Sequence, residues 1–154
     1  MFIEYYNFVE KNKWVFVIFL ALILSEVSAQ SNYLNEGIIL FEKKEFEKSK
    51  ILFERDIVFN PKSEKSYLYL AKIFNNNDND LEQEINLNSV LLLNPQNDEA
   101  IYMLALLKIK QSDYNHAKKL LDEFVLVCKS FCSKKKEIQE KFEKMTSDDA
   151  KSNN

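Results

Sequence analysis

The sequence predicts an all-α chain built from short antiparallel helices. Three observations carry the prediction: glycine and proline are scarce, apolar residues recur at helical spacing, and the pattern returns after 34 residues. Of 154 residues, one is glycine and two are proline. A β-sandwich or barrel draws on those residues for its many tight turns. Leu, Ile, Phe, Lys, Glu and Asn dominate instead, and most of these suit helices. With Gly37 alone there is no glycine-rich phosphate loop and no dinucleotide-binding turn. The formal net charge is −3 with both signs interspersed, unlike the basic stripe of a nucleic-acid binder. Lys134-Lys135-Lys136 is followed by Glu137 and Glu140 and reads as a solvated helix face, so no nucleic-acid partner is expected.

The elements follow in chain order. Leu34, Ile38 and Phe41 mark a helix over 31–43, and Phe46, Phe53 and Ile57 one over 46–59. Tyr67, Leu70, Ala71 and Phe74 mark 63–75; Leu81, Ile85, Val90 and Leu93 mark 80–93 less regularly. Ile101, Leu104, Ala105 and Leu107 mark 97–110, and Ala117, Leu120, Leu121 and Phe124 mark 113–127. The connections are short, which suits antiparallel neighbours. Pro61 and Pro95 fall just past helix ends, because proline disfavours helical backbone in the residue before it. Asn76-Asn77-Asp78-Asn79 turns without glycine, since Asn and Asp tolerate the left-handed region. Ser133 heads a last helix over 133–145, with Ile138, Phe142 and Met145 on one side and Lys136, Glu140, Glu143 and Lys144 opposite. We read 131–146 as the cap that covers the final apolar face and the polar 147–154 as a disordered tail.

Both prolines close similar segments, Val58-Phe59-Asn60-Pro61 and Leu92-Leu93-Asn94-Pro95, 34 residues apart. The same shift aligns Gly37, Ala71 and Ala105, all small; Tyr33, Tyr67 and Ile101; and Phe53, Leu87 and Leu121. An aromatic opens the second helix in copies one and three, Phe46 and Tyr114, with Ser49 and Ala117 three positions on. Over residues 30–129 this spacing resembles the tetratricopeptide repeat family. The copies are 30–62, 63–96 and 97–130. They depart from its pattern at Glu36, Asp56, Asp80, Gln83 and Lys129. The resemblance implies a right-handed α-solenoid that works as a binding scaffold for another protein or peptide. It places the inner wall on Leu34, Ile38 and Phe41; Leu68, Lys72 and Asn75; and Tyr102, Leu106 and Ile109. Leu34 and Ile38 stand where some members carry the Lys and Asn that grip a terminal carboxylate, which disfavours that mode. The apolar wall suits an amphipathic helix or hydrophobic peptide, unless the N-terminal segment, the cap or a second copy of the chain covers it.

Trp14–Leu24 is an unbroken apolar run, preceded by Lys11 and Lys13 and followed by Ser25-Glu26-Val27-Ser28-Ala29-Gln30. Eleven residues at helical rise reach about 16 Å, roughly half a bilayer core. Residues 1–29 therefore read as a secretory signal peptide cleaved after Ala29, and the protein as exported and periplasmic. The Ser-Ala-Gln ending resembles signal peptides of Bacteroidetes-type bacteria. The alternative is an uncleaved membrane anchor through residues 14–27, with the repeats serving self-association of a structural or assembly subunit.

Cys128 and Cys132 are the only cysteines, spaced C-x3-C without a second ligand pair for zinc. Export would allow a short structural disulfide between them; two buried thiols, or a redox or metal role, are the other readings. His116, the only histidine, reads as a surface residue beside Asn115 and Lys118, and an enzyme would need it set against an acid in a cleft. No catalytic constellation, metal site or cofactor motif is present in the sequence, so a non-enzymatic adaptor is expected.

Overall fold

Three turns show the repeat in the backbone itself. Lys44, Asp78 and Ser112 each adopt positive φ, at 61°, 52° and 59°, and they stand one period apart. Each links the two helices of one copy. A side chain in this left-handed region costs roughly 1 kcal/mol, so the turn geometry is kept although none of the three is glycine. In this computed structural model residues 32–152 are described. The proposed signal segment 1–29 and its anchor alternative 14–27 lie outside them.

The described chain is all-α. Helix α1 covers 32–42, α2 Phe46–Phe59, α3 Glu64–Asn76, α4 Asp80–Leu93, α5 Asp98–Lys110 and α6 Tyr114–Val127. A single 3₁₀ turn, Cys132–Lys134, leads into α7, Lys135–Ser152. Through α6 these bounds lie within a residue of those read from the sequence. The last helix departs more. It starts two residues later, because Phe131 and the 3₁₀ turn intervene. It also runs through residues 147–152, which the sequence assigned to a disordered tail. Once nucleated, a helix extends at little cost, and Thr146 and Ser147 return their hydroxyls to carbonyls of Phe142 and Lys144.

The chain divides into two compact units between Asn60 and Pro61. In the first unit Gly37 is used for space. A Cβ there would meet Cε1 of Phe53 at 2.7 Å, and that ring is fully buried. Ser49 donates its hydroxyl to the Gly37 carbonyl at 2.8 Å, so a small residue faces glycine from α2. Copies two and three solve the same contact differently, with Ala71 beside Leu87 and Ala105 beside Leu121 in their cores. Alanine is the better helix former by about 1 kcal/mol, yet overpacking costs about 1–3 kcal/mol. Gly37→Ala should therefore lower stability by about 1 kcal/mol. Phe53→Leu in the same chain should recover part of the loss, read as coupling in a double-mutant denaturation cycle. A Gly37→Ala variant more stable than the parent contradicts this packing.

In the second unit, capping side chains start α4, α5 and α6. Asn79, Asn97 and Asp113 accept from the backbone N–H of Glu82, Ala100 and His116, which satisfies donors the helix leaves free. The core is two joined clusters. One holds Leu68, Ala71, Leu87, Val90, Ala100, Leu104 and Leu107. The other holds Ile101, Tyr102, Ala105, Ile109, Ala117, Leu121, Phe124 and Ile138, so α7 closes the end of the third copy. Ile138, Phe142 and Met145 lie one period beyond Leu104, Lys108 and Gln111. The cap thus occupies the place of a fourth first helix.

Candidate functional site

The first helices α3 and α5 carry the expected wall of the second unit. Tyr69, Lys72 and Asn76 share one face of α3, and Glu99, Met103 and Leu106 one face of α5, by helical spacing. An ion pair joins the two faces, Lys72 Nζ to Glu99 Oε1 at 2.7 Å. The same ammonium lies 4.9 Å from the Tyr69 ring centroid, a favourable cation–π distance. Lys72 is therefore held in place by neighbours. Asn75 is exposed and Leu106 half-buried.

Three expected wall residues are buried. Leu68 is 9% exposed, Tyr102 7% and Ile109 1%. Leu68 packs into the core beside Ala71 and Leu87. Tyr102 and Ile109 lie in the cluster that Ala117, Leu121 and Phe124 of α6 and Ile138 of α7 share. The Tyr102 hydroxyl donates to Glu137 of α7 at 2.9 Å, and its ring lies 5.8 Å from those of Phe124 and Phe131. Burial, with the acceptor Glu137, pushes the phenol up to about 12. In the first unit Leu34, Ile38 and Phe41 are half-buried on α1, with Phe41 against Phe46.

Sequence reasoning missed the acids that open α3 and α5. Glu64 Oε1 accepts from the side-chain amides of Asn94 and Asn97. Asp98, one period on, accepts on Oδ2 from the backbone N–H of Lys129, Ser130 and Phe131 at 2.7, 2.6 and 2.9 Å. Each acid reaches the turn after its own copy's second helix. Burial opposes ionisation of Asp98, but the N–H groups of Phe131, Lys129, Ser130 and Glu99 outweigh it and hold the carboxyl below its ordinary range. The spacing of Glu64 and Asp98 was the available signal. Cys128 and Cys132 flank that last turn and are joined by a disulfide, with Cα atoms 5.2 Å apart.

A cleft of about 410 Å³ between α4, α5 and α6 is lined by Glu84, Lys108, Asp113, His116, Lys119 and Glu123 among others. It does set His116 against an acid, with Nδ1 2.5 Å from Asp113 Oδ2. That acid is the cap of the histidine's own helix, and the hydrogen bond from His116 holds it below the usual carboxylate range. The ring is 63% exposed, and no hydroxyl or thiol lines the cleft. Lys108 is paired with Glu84 at 2.6 Å. The pair therefore serves the helix start and has no nucleophile to activate. Among the described residues no group of three or more His, Cys, Asp or Glu could hold a metal ion. Likewise, no described helix is long and apolar enough to cross a membrane.

Helix pairs on a 34-residue period, with a terminal helix in phase, make up the tetratricopeptide repeat fold. No family model matches the sequence, and no curated protein matches it. Solved structures do match. A tetratricopeptide repeat protein from Parabacteroides merdae is 21% identical with a TM-score of 0.68, covering 94% of this chain and 60% of its own. The first such domain of Spaghetti (RPAP3), bound to an HSP90 peptide, is 12% identical with a TM-score of 0.67, covering 79% and 93%. The TPR2B domain of yeast Sti1 in complex with pHsp70 is 19% identical with a TM-score of 0.66, covering 77% and 97%. At these identities the likeness is one of fold.

Proposed function

We propose that the protein is a non-enzymatic adaptor of the cell envelope that binds a segment of another protein on the face of its first helices. The observation that carries this reading is the α3–α5 face. There Tyr69 and Leu106 stay partly open around the Lys72–Glu99 pair. Such a surface offers apolar contact beside fixed charges, the chemistry an amphipathic segment needs. Peptide-bound domains of the same fold, those of Spaghetti and Sti1, support it. Export rests on the apolar run 14–24 with small residues after it. N-terminal sequencing of the protein from its own cells should begin at Gln30; a retained residue 14–27 segment would favour the anchored reading instead.

The binding test uses a partner captured from that envelope. Tyr69→Asp and Lys72→Glu should each weaken its binding at least tenfold, about 1.4 kcal/mol, without loss of helicity. Leu92→Asp, at the end of α4 where the side chain is 85% exposed, should bind as the parent does. Equal loss in all three, or none in the first two, contradicts the assignment of the face.

A further inference from the structure

We propose that the Cys128–Cys132 disulfide is a redox-sensitive latch for the cap: oxidised, it preforms the turn that Asp98 grips, and its reduction releases α7 from the end of the third copy. The bridge encloses Lys129, Ser130 and Phe131, and the three backbone N–H groups inside the ring are those that converge on Asp98 Oδ2. Aiming three consecutive donors at one oxygen fixes several backbone dihedrals, which a free chain resists.

The preceding copy provides an internal comparison. Its turn carries Pro95, which pins the backbone, and Glu64 binds the side-chain amides of Asn94 and Asn97. The third copy has Lys129 in place of proline and Cys128 in place of Asn94. The bridge supplies the stiffness that proline supplies one period earlier. The turn is also joined to the cap. The Phe131 ring packs at a tilt against Tyr102, and Tyr102 donates to Glu137 of α7.

Cys132 is exposed, so a dithiol reductant can reach it. One thiolate of the dithiol attacks a bridge sulfur, breaking the S–S bond and forming a mixed disulfide. Its second thiolate then displaces the protein sulfur. Cys128 and Cys132 leave as thiols, having taken two electrons and two protons, and the reductant becomes a cyclic disulfide. Losing so short a ring raises the opening equilibrium of the turn about 30-fold on loop-closure entropy. What opens is the face of α5 and α6 that holds Tyr102, Ile109 and Phe124.

Amide hydrogen exchange on the full chain, oxidised and after dithiothreitol, tests the latch, with alkylation and mass measurement confirming the thiol state. Exchange at 129–131 and along α7 should quicken at least tenfold on reduction, while α3 and α4 keep their rates. A Cys128→Ser, Cys132→Ser double variant should show the fast rates without reductant. If that variant does not fold, reduction of the parent chain decides the matter. Unchanged α7 exchange in fully reduced protein overturns the proposal, as does a change confined to 129–131.

Discussion

Asp98→Ala should lower stability at pH 7 by about 3 kcal/mol, measured by urea unfolding. The carboxylate is buried and accepts from three consecutive N–H groups. Alanine leaves those donors without their acceptor, at about 1 kcal/mol or more each. Asp98→Asn keeps a carbonyl oxygen and should lose less. The pH dependence has a fixed sign. The folded pKa is depressed, so the contribution is complete above the unfolded value of about 4 and is lost as pH falls through the folded one. The parent should therefore lose its advantage over Asp98→Asn only in acid, below about pH 4. Equal stability of parent and Asp98→Ala at neutral pH contradicts the role given to this carboxylate.

Phe124→Ala should cost about 4 kcal/mol, in the range for truncating a buried aromatic. Phe124 has no solvent exposure, and its ring lies 5.8 Å from that of Tyr102. It belongs to the cluster that Ile138 of α7 completes. The cavity would therefore sit where α5, α6 and the cap meet, and should loosen α7 along with the core. Leu126→Ala, two residues on, is the control. Its side chain is 85% exposed, and surface changes usually stay within about 0.5 kcal/mol. Similar losses in the two variants would mean that the buried face of α6 has been misassigned.

The period was the legible part of this chain. Pro61 and Pro95, and the series Gly37, Ala71, Ala105, place the helices because backbone sterics and close packing act locally and repeat. Gly37 was readable as a close approach, but not as the complement of the larger Phe53. The wall was less legible. Ile109 occupies the same repeat position as the exposed Asn75, yet it is buried in the cluster that Ile138 of α7 joins. Whether a position faces solvent depends on the next element in space, which a within-copy pattern does not contain. Ile138 and Phe142 do continue the period, so a fourth first helix could have been read there. Asp98 was missed for a different reason. A charged residue at a helix start reads as a solvated favourable end, and its grip on a turn 31–33 residues away is a tertiary fact.

The central claim is that the first-helix face binds a segment of another protein. Chemical-shift mapping of the isotope-labelled chain, titrated with the bound segment of its captured partner, tests it most directly. The account predicts shifts concentrated at Tyr69, Lys72, Asn75, Glu99 and Leu106. Saturable binding with shifts confined to the ends of α4 and α6, around Leu92 and Leu126, would contradict it.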